Sequence, residues 1–361
     1  MSKPLYLIPT VRRLDNLGDE IIFLTLVSAL QKSGVVRVKG VRNEFLGVQP
    51  DGGLFQSRVR RILQRISGGH IFHVSLPGGG VASKDPRKIP SARVGTPKVN
   101  RMLKRFLNEI PISLGRSWVE PVDVVSLSRY AWIGVRDDYS LRLLRGAGVR
   151  NAHYFPDLAF LVDVKSQERI SQDARCDSPK VALSIREAIP GLDFKDGADD
   201  MFALPLKSLQ SVFMDNCAGS VIQFFQVEED EKFNRFLSEK NRFYFRGERL
   251  EKESCFGFYS DVDIVVSNRL HCLLFAAISG AIPLAFTVRE HSKVVSLFHA
   301  VGWADLVIDC RDPIKARDGF ERVKGGIEFY KTMVANSVAK QRAIGRNILD
   351  QMPWLDAGKS F

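Results

Sequence analysis

The chain has 361 residues, 45% of them hydrophobic and 26% charged, with a formal net charge of +11. That is enough apolar material for two cores of common domain size and too much for a disordered chain. The five cysteines (Cys176, Cys217, Cys255, Cys272, Cys310) are widely spaced with no CxxC pair, which argues against a zinc site or a disulfide frame and for a reducing, cytoplasmic compartment.

In chain order, Leu5 to Pro9 reads as a first strand; the residues before it lack the length and cleavage site of an export signal. Asn16-Leu17-Gly18-Asp19-Glu20 then precedes an apolar helix, Ile21 to Leu30. Gly18 lets the backbone turn closely past a ligand, and Asp19 and Glu20 suit a helix N-terminus; a capped helix alone accounts for the same spacing. Val35 to Val38, Ser57 to Ile66 and Ile71 to Leu76 continue as strand, helix and strand. Next come Gly78, Gly79 and Gly80, whose uncovered N–H groups suit an anion, although a triple glycine also makes a plain loop. Neither a Walker A sequence nor a GxGxxG is formed. A helix over Val99 to Leu107, strands at Ile112 to Leu114 and Trp132 to Val135, and helices at Ser126 to Tyr130 and Ser140 to Gly146 complete the first half.

Arg136 follows a strand and reads as a buried ion-pair partner before a helix capped by Asp137, Asp138 or Ser140. Asp157, in Pro156-Asp157-Leu158-Ala159-Phe160, anchors a turn or reaches a ligand. His70 and His73 are close in sequence, but His73 lies on a strand and reads as a core histidine, so no metal centre is assigned.

A second series starts at Lys180: strands at Val181 to Ile185, Val221 to Phe225, Ile264 to Val266 and Leu284 to Phe286, with helices at Pro205 to Cys217, Asp230 to Glu239 and Leu270 to Ser279. The run Cys272 to Val288 approaches the roughly 18 apolar residues of a membrane span, yet Gly280 and Pro283 break it into helix and buried strand. Repeated strand and helix on both sides of a polar stretch predicts an α/β protein of two Rossmann-like domains. Their expected bounds are 1–164, a linker at 165–179, 180–326, and a helix and tail at 327–361. Arg186 ends a strand of the second half. Ser267-Asn268-Arg269-Leu270-His271 lies at a strand-to-helix junction, where open α/β sheets bind ligands. Arg269 offers a fork for a carboxylate or phosphate and His271 a proton near neutral pH.

Charge separates the halves: residues 1–164 carry +12 and the remainder −1. Arg58, Arg60, Arg61 and Arg65, and Lys98, Arg101, Lys104 and Arg105, alternate with apolar residues at helical spacing. Such helices meet an anionic membrane surface or are ordinary solvated faces. A nucleic-acid partner is not expected, because no recognition motif or aromatic platform accompanies the charge.

In order, these motifs resemble the polysaccharide pyruvyl transferase family. The resemblance rests on Asn16, Gly18, Asp19 and Glu20; Gly78 to Gly80; Val135, Arg136, Asp137 and Ser140; Pro156, Asp157, Ala159 and Phe160; Ser184 and Arg186; Asp230; Arg269 and His271; then Pro283 and Lys293. It implies a GT-B-like pair of domains with a cleft between them, the acceptor on the basic N-terminal side and the donor on the C-terminal side. It also implies transfer of pyruvate from phosphoenolpyruvate to two hydroxyls of a polysaccharide sugar, free or lipid-linked, as a cyclic ketal. Arg186, Arg269 and Lys293 are expected to hold the donor, His271 to carry a proton, and Asp19 or Asp157 to act as base, with Asn16, Gly18, Gly78, Gly79 and Gly80 near the acceptor or an anion. No cofactor or metal is called for, and the enzyme is placed in the cytoplasm, where the inner membrane face is a natural site for it. A GT-B glycosyltransferase using a nucleotide sugar, or an inactive glycan- or anion-binding protein, are the competing readings.

Overall fold

A computed structural model describes residues 2–10, 16–39, 41, 43–75, 107, 109–118, 122, 124–164, 178–186, 203–213, 221–287 and 293–352. Gly78, Gly79, Gly80, Lys98, Arg101, Lys104, Arg105 and nearly all of the expected linker lie outside these residues. The chain divides into two compact units, one of Met1–Arg13, Asp19–Leu161 and Arg342–Phe361, the other of Leu14–Gly18 and Val162–Gln341.

The first unit runs β1 (Leu5–Ile8), α1 (Leu17–Gln31, counted here from Asp19), β2 (Val35–Val38), α2 (Leu54–Ile66), β3 (Ile71–Ser75), β4 (Glu109–Arg116), α3 (Val124–Leu127), β5 (Trp132–Val135), α4 (Asp138–Gly146) and β6 (Ala152–Tyr154). Its strands form one parallel sheet in the order β2-β1-β3-β4-β5-β6. Every residue of β1 and β5 is buried, because a parallel sheet is covered on both faces and its inner strands read as continuous apolar runs.

The segment after β5 is built around a buried charge. Arg136, 1% exposed, donates from Nε to Ser117 Oγ (2.8 Å) and from Nη1 to Asp157 Oδ2 (2.5 Å). Ser117 Oγ in turn donates to Asp137 Oδ2 (2.7 Å), and Asp137 caps α4 by accepting from Ser140 N (2.7 Å). This network ties together the carboxyl ends of β4 and β5 and the segment after β6. The spacing of Arg136, Asp137 and Ser140 therefore has an architectural cause.

A second polar chain runs through Lys39, His73, Glu109, Arg61 and Asp51. Lys39 Nζ lies 2.8 Å from His73 Nδ1, and His73 Nε2 lies 2.7 Å from Glu109 Oε2. An ammonium only donates, so Nδ1 accepts and the imidazole is neutral with its proton on Nε2. Burial, with Lys39 and Arg61 nearby, likewise holds the His73 pKa below its usual value. Arg61 bridges Glu109 (2.9 Å) and Asp51 (2.8 Å), and Arg60 also pairs with Asp51 (3.0 Å). This corrects the expectation that Arg60 and Arg61 project with Arg58 as a free basic face: Arg61 is on the side of α2 that carries buried Ser57, and its side chain is only 18% exposed.

The second unit runs β7 (Val181–Ser184), α5 (Ala203–Phe213), β8 (Val221–Gln223), α6 (Glu231–Asn241), β9 (Tyr244–Phe245), α7 (Lys252–Ser260), β10 (Ile264–Ser267), α8 (Leu270–Ile278), β11 (Ile282–Thr287), α9 (Lys293–Ala300), β12 (Val307–Asp309), α10 (Pro313–Gly325) and α11 (Ile327–Gln351). From Arg342 onward α11 belongs to the first unit, where Arg342 Nε donates to Phe160 O (2.9 Å). The sheet order is β12-β11-β10-β7-β8-β9, again parallel throughout. The chain builds outward from β7 to β9, then returns to the other side of β7 with β10. Strands β7 and β10 are therefore neighbours whose connections leave in opposite directions, the arrangement that opens a crevice at the carboxyl edge of a sheet.

The apolar run at Cys272 to Val288 resolves into α8, a turn at Gly280 (φ +92) and the buried strand β11. Among the described residues no helix is long and apolar enough to cross a membrane.

Candidate active site

Strands β7 and β10 are in register, Ser184 beside Ser267, so Arg186 and Asn268 leave the sheet together. Asn268 Oδ1 accepts from Arg186 N (2.7 Å), and Asn268 Nδ2 donates to Arg186 O (2.9 Å). A single side chain thus fixes the backbone of the arginine across the switch point. Ser267 Oγ donates to Ser184 O (2.5 Å) and accepts from Arg269 N (3.0 Å), which sets the turn into α8.

Behind these turns lies Asn234, fully buried on α6. Its Oδ1 accepts from Ile185 N (2.8 Å) and Gln223 Nε2 (2.5 Å), while its Nδ2 donates to Ile185 O (2.9 Å) and Asp230 O (2.8 Å). The ends of β7 and β8 and the turn Glu228–Asp230 are thereby joined at one amide. Such a fully bonded buried amide is strongly position-specifying, since losing any partner leaves a buried polar atom unmatched.

Arg269 is the N-cap residue of α8. Its Nε donates to Asp230 Oδ2 (2.7 Å), and its Nη2 donates to Asp230 Oδ1 (2.6 Å) and Glu229 Oε1 (2.8 Å). One edge of the guanidinium is thus held, and Nη1 makes no hydrogen bond to the described residues. Burial raises the Asp230 pKa, with Glu229 adding to it, although Arg269 and Arg186 pull it down. The guanidinium of Arg186 has no hydrogen bond or ion pair among the described residues, yet its charge reaches Asp230. One open cation and one open N–H edge accordingly stand at the switch point of the second sheet.

His271 lies in the first turn of α8, its ring stacked on Phe275 (centroids 6.0 Å apart, 18° between planes). Gly18, which belongs to this unit, also packs closely against His271. A Cβ at position 18 would come within 2.8 Å of His271 Cβ and Cγ and closer still to Nδ1. Gly18 N donates to Asn16 Oδ1 (3.1 Å), and Asn16 pairs as an antiparallel bridge with Val227. Asn16, Gly18, Asp230, Arg269 and His271 are therefore one neighbourhood within the second unit.

The other residues named from the sequence belong to other elements. Asp19 and Glu20 occupy the first turn of α1. Asp157 is 1% exposed, with Oδ2 on Arg136 and Oδ1 accepting from Ala159 N (2.9 Å). Lys293 is exposed at the start of α9. Among the described residues no group of three or more His, Cys, Asp or Glu is placed to hold a metal ion. Asn234, Asn268 and Glu229 were missed as site residues. A signal existed for Asn234: Asp230, Asn234 and Ser238 recur at four-residue spacing on the buried side of a helix, where apolar residues are the rule.

The sequence model of the polysaccharide pyruvyl transferase family matches residues 16–287. No curated protein matches the chain. Among solved structures, the chain is similar to UDP-GlcNAc 2-epimerase from Methanocaldococcus jannaschii (10% identity, 97% of this chain and 99% of that one, TM-score 0.56). It is also similar to α,α-trehalose 6-phosphate synthase from Burkholderia multivorans (11% identity, 100% and 97%, TM-score 0.56). UDP-GlcNAc 2-epimerase from Neisseria meningitidis, bound to UDP-GlcNAc, is a third (11% identity, 93% and 97%, TM-score 0.54). At these identities the likeness is one of fold, and it agrees with the two Rossmann-like halves expected from the sequence.

Proposed function

The chain belongs to the polysaccharide pyruvyl transferase family, and from that premise we propose that it moves pyruvate from phosphoenolpyruvate to two hydroxyls of a sugar acceptor as a cyclic ketal. The observation that carries the proposal is the pairing of an open guanidinium, Arg186, with the open Nη1 edge of Arg269 beside His271. A trianionic donor needs a cation whose charge is not already cancelled, which Arg186 offers, while Arg269, paired with Asp230 and Glu229, offers the N–H groups of Nη1; bonds from planar guanidinium groups match both carboxylate and phosphate. Lys293 adds a point charge from α9.

In the proposed reaction a proton is delivered to the donor methylene carbon, which becomes the methyl group. A sugar hydroxyl adds to the central carbon as positive charge develops there. The carbon–oxygen bond to phosphate then breaks, and the second hydroxyl closes the ring. Of the two hydroxyl protons, one balances the proton placed on the methyl group and one leaves with phosphate. His271 is the proton carrier in this scheme, since an imidazole titrates near the working pH. Asp19 is the better base of the two carboxylates: it is half-buried and follows Gly18 in the chain, whereas Asp157 is fully buried with both oxygens bonded. The acceptor is a sugar of a polysaccharide or of its lipid-linked precursor.

Phosphate release from phosphoenolpyruvate, with a mass gain on members of a sugar panel, tests the proposal. Titration calorimetry of Arg186→Gln supplies the binding arm: loss of charge-assisted bonds worth about 1.5–3 kcal/mol should weaken donor affinity roughly 10- to 150-fold. Unchanged donor affinity in this variant, or turnover of a nucleotide sugar in place of phosphoenolpyruvate, would overturn it.

A further inference from the structure

The outer face of α2 is apolar where a soluble helix is normally polar. Val59, Leu63 and Ile66, at positions i, i+4 and i+7, share one side of the helix and are 38%, 60% and 73% exposed. The opposite side is already in use, since Ser57 is buried and Arg61 reaches Asp51 and Glu109, and Ile62 on the flank of the stripe packs against Leu5, Leu7, Ile71 and Leu107. The exposed stripe is therefore not the face that holds α2 to the sheet.

Charge surrounds the stripe. Steps of about 100° per residue put Arg60 along one border and Arg58 and Arg65 beyond the other. At the N-terminal end of the helix the stripe runs into a cavity of about 420 Å³ lined by Arg37, Gln49, Gln56 and Arg60 among others. Gln56 and Arg60 also line the apolar groove formed by Val59, Leu63 and Ile66. The Arg37 side chain makes no hydrogen bond or ion pair among the described residues, and its Nε is buried without a partner. The cavity thus offers an uncancelled cation beside exposed hydrocarbon, in a half of the chain that carries +12.

We propose that this face of α2 docks the protein on an anionic phospholipid surface, with Leu63 and Ile66 entering the acyl boundary and a lipid phosphate reaching Arg37. An amphipathic helix with an apolar stripe and basic flanks lies in the interface plane, held by buried apolar area and by attraction to anionic headgroups. The inference deepens the proposed function and rests on it only in taking the sugar acceptor to be lipid-linked.

The test is co-sedimentation of the full chain with vesicles of phosphatidylglycerol in phosphatidylcholine, and of phosphatidylcholine alone, at low and high salt. Wild type should sediment with the anionic vesicles at low salt and release at high salt, because the screening length contracts to roughly 3 Å at 1 M. Leu63→Gln with Ile66→Gln should weaken association about tenfold or more. Arg37→Gln with Arg65→Gln should weaken it roughly fivefold per charge removed. All these side chains are outside the proposed reaction centre, so phosphate release with a water-soluble acceptor should stay at the wild-type rate, which separates failure of docking from failure of the proposed chemistry. Absence of wild-type sedimentation at low salt, or equal sedimentation of the apolar double variant, would overturn the proposal. So would a wild-type dimer that Leu63→Gln with Ile66→Gln splits into monomers, which would assign the stripe to a second copy.

Discussion

Replacing Gly18 with alanine separates a steric effect from a conformational one. Gly18 is in the first turn of α1 and does not have a positive φ, so an alanine there should gain about 0.5–1 kcal/mol from reduced backbone freedom. Against that, the added methyl would meet His271 Cβ and Cγ at 2.8 Å, where ordinary carbon contacts are about 3.5–4.0 Å. His271 must shift by about 0.7 Å or more, and its ring is also stacked on Phe275. Overpacking of this kind costs about 1–3 kcal/mol, so the net effect is a loss of up to ~2.5 kcal/mol. The effect on turnover should be larger in proportion, since displacing a reacting group by about 1 Å can cost ~10²-fold in rate. Urea unfolding and phosphate release from phosphoenolpyruvate would be measured for Gly18→Ala, His271→Ala and the double variant. With His271 already truncated beyond Cβ, the alanine should add little further rate loss, giving clear non-additivity. If Gly18→Ala is stabilised and turns over normally, or if the two losses simply add, the packing of Gly18 on a functional imidazole is refuted.

Arg136→Met should destabilise the protein by about 3–5 kcal/mol, because it strands the Asp157 carboxylate in a buried site; Arg136→Met with Asp157→Leu should recover much of that loss, as read from thermal midpoints. Acid should weaken the first unit through Glu109. Burial alone would raise this carboxyl, but His73 and Arg61 together hold it down at about 2 against an ordinary 4.5. A depressed acid contributes stability above its unfolded pKa and loses it as pH falls through the folded one, so on the order of 3 kcal/mol should disappear between pH 4.5 and 2. Glu109→Gln should flatten that acid limb, and an unchanged slope of stability against pH would contradict the assignment.

Much of the fold was legible because parallel sheets write their strands as uninterrupted apolar runs. Leu5–Ile8, Trp132–Val135 and Ile264–Ser267 are buried at every position, and each stood out in the sequence. Short edge strands such as Ala152–Tyr154 and Tyr244–Phe245 carry exposed residues and left no such run. The polar helix Pro313–Gly325 was passed over although Asp312 caps it and Pro313 opens it, a start signal that periodicity alone ignores. Within the candidate site, Arg186, Arg269 and His271 stand out in the sequence because they lie at strand-to-helix junctions. Asn234 and Asn268 act through bonds to backbone 49 and 82 residues away, and no local pattern encodes such a partner. The misreading of Arg61 has the same origin: its partners, Asp51 and Glu109, come from a loop and another strand.

The reach of the Asn234 and Asn268 bonds would also make the proposed anion site a reporter of folding. Arg186 is held only when β7, β8, β10 and the turn at Asp230 have all docked, so no fragment lacking one of these elements presents the complete pair of cations. A ligand that recognises the assembled edge draws the whole second sheet toward its native state by mass action, by about 2.7 kcal/mol at a hundred times its dissociation constant. With the proposed donor as that ligand, its concentration in the cell would govern how long the protein survives proteolytic surveillance as well as how fast it turns over, tying the lifetime of the protein to the supply of the substrate proposed for it.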